Sequence, residues 1–423
     1  MLKRTKIQTE VKRTKPDYVV YIPKSLDGST KDTGNEHFLV FDGHDGSLLA
    51  VWTQSTFEGL ENQRIVFVRS DDHGSSWTEP KIIAGSLPTE TGGMASWGFP
   101  MISKSGRIYV LYNKHIGIND IFTHTTGLMA GIYSDDVGKT WSKPEIINMP
   151  RSIYDNPDPS IPANWIVWQK PTRLSGDKYF VGFTRWVSPS VRREAPILSW
   201  ATAESVVEFM RFENIDNDPL VKDIRISYFA NDEHAIRVSW HHEAPEHSVA
   251  QEPSIVQLPD NRLFCVLRTT TGNPYYTISN DSGMTWTKTE ILKYADTGKP
   301  VLHPLSPCPI YRISEDKYVI FYHNNDGHFE QWGPFDTDWN RRPVYISAGT
   351  YKANAKQPVW FSEPKFFMDN EGVVIGHKNG RCDLALYSSF TNSYGKNILW
   401  YPDRKFFLLG REIKKNLLSL EEL

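Results

Sequence analysis

Residues 279–286 read SNDSGMTW, and the same pattern, S-x-D-x-G-x-x-W, occurs at residues 70–77 (SDDHGSSW) and 134–141 (SDDVGKTW). Each copy follows a short apolar run that is typical of a β-strand. The pattern indicates a tight turn, because the Asp carboxylate can accept backbone N–H bonds and the Gly adopts a φ that other residues resist. We expect the Trp to fold back and to pack the hairpin against its own sheet.

The spacing of these copies indicates a repeat architecture. The first two begin 64 residues apart, and the second and third begin 145 apart, close to twice that step. A chain of 423 residues divides into six units of about 70 residues each. The sequence therefore predicts an all-β fold, a six-bladed β-propeller of four-stranded antiparallel blades, in a single domain over residues 1–423. A degenerate copy of the turn is expected between the second and third intact ones.

Composition is consistent with this fold and excludes several classes of function. Aromatic residues make up 13% of the chain, which suits many short, packed strands. A net charge of −3 gives no basic face for nucleic acid, and no run of 18 apolar residues is present to span a membrane. The N-terminal region is basic but lacks the apolar segment of a signal peptide. Three widely spaced cysteines predict reduced, buried thiols in a cytoplasmic protein, and a secreted protein that has lost its leader stays the alternative.

The third unit is the longest, and residues 205–250 are interpreted as an insertion within the third blade. Its turn is expected to have decayed into SWATAES (199–205), and AESVVEFMRF (203–212) is predicted to be a helix. HHEAPEH (241–247) fits no metal-binding spacing, and its proline would break a helix that aligned the ligands. No phosphate loop, nucleotide fingerprint or metal cluster occurs, so no cofactor is expected. A strand from residues 16–23 is expected to close the sixth blade.

The S-x-D-x-G-x-x-W pattern is the Asp box, and through its three copies the chain resembles the sialidase-like (neuraminidase, BNR-repeat) β-propellers. In such proteins the boxes lie on the outside of the propeller, away from the axis. The resemblance therefore implies the fold more directly than the activity. What it implies for function is a glycoside hydrolase that acts on an acidic sugar.

One segment resembles the catalytic part of that family. QEPSIVQLPDNRLFCVLR (251–268) forms a predicted hairpin whose ends lie side by side. The resemblance implies that Glu252 activates the nucleophile and that Arg268 binds the substrate carboxylate, with Arg342 as a second carboxylate ligand because a guanidinium meets a carboxylate with two hydrogen bonds. Tyr387, in LALYSSF, resembles the family's nucleophile, an exception among glycosidases.

Two positions depart from the family. Its first arginine is replaced by His37, which is kept as a possible substrate-binding residue, and its acid/base Asp is absent. The segment TFEGLENQRIVF (56–67) offers Glu58, Glu61 and Asn62 instead. Glu58 is the better general-acid candidate, since a cleft loop would raise its pKa.

Two further readings stay open. His115 and Arg185 end predicted inner strands of adjacent blades and are expected to face one pocket. That pair resembles part of the site of propeller lyases, in which a His removes a proton and an Arg neutralises the carboxylate of a uronate, so a lyase or hydrolase of uronic-acid substrates is an alternative. A carbohydrate-binding propeller without catalysis is the third reading.

Overall fold

The structure is a computed structural model that describes residues 2–85, 93–122, 124–195, 197, 199–376 and 379–418. Helix α1 (Leu2–Glu10) and strand β1 (Tyr18–Tyr21) precede the first blade, and helix α2 (Lys415–Leu418) follows the last. Within this part of the chain no helix is long and apolar enough to cross a membrane.

Six antiparallel sheets form the body of the molecule, which confirms the predicted six-bladed propeller. Blade 1 contains β2 (Gly34–Asp42), β3 (Leu48–Ser55), β4 (Arg64–Ser70) and β5 (Lys81–Ala84). Blade 2 contains β6 (Ala95–Ile102), β7 (Ile108–Lys114), β8 (Leu128–Ser134) and β9 (Glu145–Ile147). Blade 3 contains β10 (Asn164–Ile166), β11 (Thr172–Arg173), β12 (Tyr179–Trp186), β13 (Ser205–Phe212) and β14 (Ile226–Phe229).

The other three blades follow the same order. Blade 4 contains β15 (Gln251–Gln257), β16 (Leu263–Arg268), β17 (Tyr275–Ser279) and β18 (Glu290–Ile291). Blade 5 contains β19 (Ile310–Arg312), β20 (Lys317–Tyr322), β21 (Val344–Tyr351), β22 (Val359–Phe361) and β23 (Lys365–Met368). Blade 6 contains β24 (Ser389–Ser393), β25 (Lys396–Asp403), β26 (Phe407–Glu412) and, as its outermost strand, β1.

The N-terminal strand closes the ring, as the sequence predicts. Tyr18 pairs with Gly410 and Val19 with Leu409, so β1 covers the outer edge of β26. Strands from both ends of the described chain therefore share one sheet, and the edge of β26 is not left open. The three cysteines are buried and unpaired.

The third blade corrects two sequence interpretations. Residues 205–212, predicted to be helical, form strand β13, which pairs along its whole length with β12. Strand β14 follows at 226–229, so two blade strands lie inside the stretch 205–250 that was interpreted as an insertion. The segment 199–205 precedes the third strand instead of following it, so it does not correspond to the boxed turns. The sequence of β13 does not alternate between apolar and polar residues, because both faces of the strand are buried except at Arg211.

The three boxed turns at the rim share one pattern of hydrogen bonds. In the first, the amide of Ser76 donates to Asp72 Oδ1 at 2.8 Å and the amide of Gly74 donates to Ser70 Oγ at 2.8 Å. The second and third copies repeat both bonds at 2.7–2.8 Å. The glycines have φ of 92°, 86° and 90°, which is the left-handed region that favours glycine.

The box tryptophans also pack against the preceding blade, a contact that the sequence analysis did not predict. Trp286 of blade 4 stacks on Phe209 of blade 3, with ring centroids 4.1 Å apart and planes at 12°. Trp141 of blade 2 contacts Phe67 of blade 1 at 5.3 Å, and Trp77 contacts Trp400 of blade 6 at 5.7 Å. A box therefore links two neighbouring blades, because its Gly and Trp meet the aromatic side chains of the blade before it.

The inner strands of three blades carry a matching irregularity near their first residues. The pairing register shifts in β2, β6 and β15, at the points where His37, Trp97 and Glu252 have φ of 56°, 57° and 47°. These are β-bulges, which re-aim side chains. Two of them are fixed from the preceding blade: the amide of Trp97 donates to Thr53 Oγ1 at 2.9 Å and that of Glu252 to Thr184 Oγ1 at 2.7 Å.

Candidate active site

Two adjoining cavities lie beside the bulged residues of β6 and β15. The larger, about 500 Å³, is here called the polar chamber. The smaller, about 100 Å³, is called the aromatic chamber because Trp97, Ile166, Trp186 and Phe122 contribute to its wall. The two chambers share six lining residues, so they form one site: Glu58, Phe122, His124, Trp200, Arg268 and Tyr387.

Tyr387, Glu252 and Arg268 meet where the chambers join. The hydroxyl of Tyr387 donates to Glu252 Oε1 at 2.7 Å, and Arg268 Nη1 donates to the Tyr387 oxygen at 2.9 Å. Arg268 Nη1 also lies 2.5 Å from Glu252 Oε1. The predicted hairpin accounts for the last contact, because Gln251 pairs with Arg268 across β15 and β16 and the bulge then turns Glu252 toward the axis.

The surroundings of Tyr387 keep its phenol protonated. Burial raises the pKa of Tyr387 to about 12, and the negative charge of Glu252 acts in the same direction, although Arg268 opposes it. A phenol with this pKa attacks only if its proton is removed as it reacts. Glu252 Oε1 already accepts that proton in a hydrogen bond. The arrangement can therefore perform nucleophilic catalysis with Glu252 as the base.

Arg341 lines the polar chamber, and its neighbour Arg342 does not. The prediction that Arg342 binds substrate is corrected here, since its guanidinium turns outward and pairs with Asp369 at 2.8 Å and Glu330 at 3.1 Å. Arg341 donates from Nε to the carbonyl of Leu305 at 2.9 Å. Within the described residues it forms no ion pair, so its remaining N–H groups can meet a ligand carboxylate beside Arg268. The two arginines are adjacent in sequence, and no pattern before β21 indicates which one faces inward.

Glu58 also reaches the polar chamber, but its protonation state is the reverse of the prediction. Burial favours the neutral acid, yet the charges of Lys405 and Arg381 outweigh it and hold the pKa of Glu58 well below its ordinary value. Glu58 Oε2 lies 2.9 Å from Arg381 Nη1, and Oε1 contacts Lys405 Nζ. The raised pKa expected for a general acid is therefore wrong, and Glu58 is a carboxylate at neutral pH.

Lys405 links Glu58 to a second carboxyl group, that of Glu36, and lies over the ring of Tyr387. Its Nζ is 3.2 Å from Glu36 Oε2 and 4.9 Å from the centre of the Tyr387 ring. Burial, together with the nearby charge of Glu58, raises the pKa of Glu36 to about 7. Lys405 comes from the turn between β25 and β26, which carries no feature in the sequence that indicates a site.

Histidines take two different positions around the site. His37 is fully buried beneath the chambers, 4.9 Å from the ring of Trp97, and burial lowers its pKa to about 3. It does not line either chamber, so the expectation that it binds substrate is corrected. His124 lines both chambers, and burial lowers its pKa to about 4, so it is neutral at pH 7. His124 lies on the loop between β7 and β8, where the sequence analysis did not find it.

His115 and Arg185, the basis of the lyase alternative, do not face the site. Arg185 is 1% exposed and pairs with Asp155 at 2.7 Å and Glu208 at 2.9 Å. His115 Nε2 lies 2.7 Å from Asn119 Oδ1. Neither residue lines a chamber, so the prediction that they share a pocket is wrong. Arg185 is instead the centre of a buried ion-pair network in blade 3.

A BNR repeat-like domain model matches residues 46–306. A comparison with curated protein sequences finds no match. In the part of the chain that the structure describes, no three His, Cys, Asp or Glu side chains are grouped as metal ligands would be.

Several solved structures share this architecture at low sequence identity. The Hadza microbial sialidase Hz136 is 12% identical with a TM-score of 0.62, and the match covers 94% of this chain and 69% of that protein. The NanB sialidase from Streptococcus pneumoniae is 12% identical (TM-score 0.61; coverage 95% and 71%). The intramolecular trans-sialidase from Ruminococcus gnavus is 12% identical (TM-score 0.61; coverage 95% and 98%). At this identity the likeness is one of fold.

Proposed function

This chain belongs to the family of BNR repeat-like domains, and from that membership and its site we propose that it is a sialidase-like glycosidase acting on a sugar that carries a carboxylate. The observation that supports the proposal most strongly is the buried contact of Tyr387 with Glu252 and Arg268. An ordinary strand tyrosine does not need a carboxylate and a guanidinium on one oxygen at the junction of two cavities. Nucleophilic catalysis does need them.

In the proposed first step the Tyr387 oxygen attacks the anomeric carbon of the sugar. Its proton passes to Glu252 across the 2.7 Å hydrogen bond, the glycosidic bond breaks, and a covalent sugar–tyrosine intermediate forms. In the second step water displaces the tyrosine, which recovers its proton from Glu252. Arg268 keeps both oxygens aligned through both steps because it contacts Tyr387 and Glu252 with one nitrogen.

Arg341 and Arg268 are proposed to hold the substrate's carboxylate. Both line the polar chamber, and both guanidinium groups are almost completely buried. Burial lowers the pKa of Arg341, and an anionic ligand would compensate the cost of burying its charge. The adjoining aromatic chamber would receive a less polar part of the sugar against Trp97 and Trp186.

The ionised state of Glu58 constrains the rest of the cycle. A carboxylate with a lowered pKa does not protonate a leaving group at neutral pH, but it accepts a proton from the water of the second step. The departing oxygen then takes its proton from solvent. We therefore expect the enzyme to cleave phenolic glycosides, whose leaving groups are stable anions, at least about 100-fold faster than alkyl glycosides.

The test is release of fluorophore from a 4-methylumbelliferyl sialoside by the full chain and by two variants. Tyr387→Phe removes the nucleophilic oxygen and is expected to lower the rate by at least about 1,000-fold. Tyr401→Phe is the matched control, since that tyrosine is also buried in blade 6 and its hydroxyl lies 2.7 Å from Thr14 Oγ1. The control loses about 1 kcal/mol of stability and keeps its rate.

Three results would contradict parts of the proposal. Equal rates for Tyr387→Phe and the wild type would remove the nucleophile assignment. Release of an unsaturated product absorbing near 235 nm from uronate polysaccharides would make the protein a lyase. Binding of the sialoside without any turnover, with the same affinity in Tyr387→Phe, would leave a carbohydrate-binding propeller.

A further inference from the structure

A second cavity, of about 660 Å³, opens at the other end of the same inner strands. We call it the rear cavity. All six blades contribute to its wall, as the following residues show in chain order: Asp42, Lys104, Lys170, Gln257, Arg312 and Phe390. Glu252 and Gln257 lie near opposite ends of strand β15. At about 3.3 Å per residue, the two sites are therefore about 16 Å apart along this strand.

Lys170 is the feature of the rear cavity that the fold does not explain. The side chain is half-buried and lines the cavity, and among the described residues its ammonium forms no hydrogen bond and no ion pair. Burial lowers the pKa of Lys170, and the charge of Asp42 opposes that shift only in part. A half-buried ammonium with no carboxylate in contact is only partly hydrated, and an anionic ligand would give it the partner that it lacks.

The other cations of the rear cavity show that Lys170 is different. Lys104 pairs with Asp177 at 2.5 Å, and Arg173 pairs with Asp216. Arg312, at the exposed edge, donates to the carbonyls of Ser314 at 2.9 Å and Glu315 at 3.2 Å and to no carboxylate of the described chain.

The cavity therefore has an excess of positive charge that the protein leaves uncompensated. Among the described residues that line it, Asp42 is the single carboxylate, against Lys170 and Arg312. More of the surface that lines the cavity is apolar than polar, and Met101, Ile255 and Phe390 contribute to it. Both the volume and this mixture of an apolar wall with a few polar groups are typical of sites for small organic ligands.

We propose that the rear cavity binds a small organic carboxylate with an aromatic or apolar body, whose carboxylate lies against Lys170 and Arg312. The ring of such a ligand would pack on the apolar wall, and the ammonium would gain the partner that it lacks. This site is separate from the chambers around Tyr387, and the proposal does not depend on the activity proposed for them.

The experiment is calorimetric titration of the full chain with benzoate and with benzamide, its neutral isostere. We expect benzoate to bind at least tenfold more tightly than benzamide. Lys170→Met should weaken benzoate binding at least tenfold, and Arg312→Gln about threefold. Lys104→Met is the matched control, because this cavity lysine is already paired with Asp177, and it should change the affinity less than twofold.

Arg341→Ala separates the two sites, since the arginines of the polar chamber are the alternative place for benzoate to bind. Affinity kept in Arg341→Ala and lost in Lys170→Met supports the rear cavity. The reverse pattern, equal binding of benzamide, or no heat with benzoate at 20 mM overturns the proposal. If Lys170→Met does not fold, the exposed Arg312→Gln decides, and unchanged affinity in that variant counts against the site.

Discussion

The rim and the axis of this propeller each contain a backbone feature that recurs from blade to blade. The side chains recur with it at the rim and differ at the axis. At the rim, three turns share both backbone and side chains, and each Asp makes the same bonds. At the axis, three inner strands share a bulge with φ near 50°, but the bulged residues are His37, Trp97 and Glu252. A shared backbone with shared side chains links the blades at the rim, whereas at the axis the shared bulge places Trp97 and Glu252 in the wall of a chamber and leaves His37 outside both chambers.

The same contrast appears in the protonation of carboxyl groups. At the exposed rim, hydrogen bonds from Ser76 lower the pKa of Asp72 to about 2. At the axis, burial raises the pKa of Glu36 to about 7. Solvated turns stabilise the anion through local donors, whereas the interior disfavours it. The comparison predicts that changes at the axis act on rate and on pH dependence, and that changes at the rim act on stability.

The largest effect is expected from the matched exchange of an acid for an amide within blade 4. Glu252→Gln at the axis removes the proposed base, so the rate of sialoside cleavage per folded molecule should fall at least about 100-fold. Asp281→Asn in the boxed turn of the same blade should leave that rate unchanged. The measurement is the rate divided by the folded fraction from circular dichroism, and a slow Asp281→Asn variant would contradict the separation of the rim from the axis.

Trp286→Ala is expected to act through stability alone. The ring stacks on Phe209 across the junction between blades 3 and 4, so its loss should lower the free energy of unfolding by about 3 kcal/mol. Trp141→Ala, which removes an edge contact at 5.3 Å, should cost less. Urea denaturation measures the free energy of unfolding of both variants. A lowered rate per folded molecule in Trp286→Ala would mean that the rim transmits structure to the axis.

Substitution of Arg341 and of Arg342 in turn tests which of these adjacent side chains faces the axis. Arg341→Ala should raise the KM for a carboxylated substrate about 10- to 100-fold, since a charge-assisted hydrogen bond contributes about 1.5–3 kcal/mol. Arg342→Ala should keep the KM within twofold, and it should lower stability because Asp369 loses its buried partner. Steady-state kinetics beside thermal unfolding separates the two. Equal KM values would remove Arg341 from the substrate site.

The smallest effect is a pH dependence of stability that comes from Glu36. Its pKa rises from 4.5 to about 7 on folding, so the stability that protonated Glu36 provides is present below pH 4.5 and is lost as the pH rises through 7. The amide of Glu36→Gln does not ionise, so this variant keeps that stability as the pH rises. The variant should gain on the order of 1–2 kcal/mol relative to the wild type between pH 5 and pH 8.

Glu58→Gln, a change in the same network, should show the opposite change of stability with pH. The pKa of Glu58 is lowered in the folded state, so its contribution is present at neutral pH and disappears as the pH falls. This variant should lose stability at pH 7 and lose less at low pH. Thermal unfolding at several pH values checks both, and parallel curves for Glu36→Gln and the wild type would remove the burial effect on Glu36.

The sequence predicts the repeated parts of this molecule better than the single ones. The boxes gave the blade number, and the hairpin from 251 to 268 placed Glu252 beside Arg268, because pairing across a short turn is a local property. Tyr387 was found through its resemblance to a family segment. The inward choice between Arg341 and Arg342, and the approach of Lys405 to Glu58, depend on contacts between distant blades, which local patterns do not encode.

Strand β13 marks the same limit within the fold. Its sequence, SVVEFMRF, lacks the alternation of a half-exposed strand because neighbouring layers bury both of its faces. Glu208 is the informative residue. It sits inside this strand and pairs with Arg185 of β12 at 2.9 Å, a contact that the local pattern of residues does not indicate.

The pairing of Tyr18 with Gly410 has a consequence for how the protein is made. A ribosome releases the first of these residues long before it has synthesised the second, so the N-terminal strand must wait without its partner while five blades form. Loop closure over such a separation is slow, and unpaired strand edges invite aggregation. The site has the same dependence, since Glu58 and Lys405 come from the two halves of that late seam. We therefore expect the proposed activity to appear only after the ring closes, as the final event of folding.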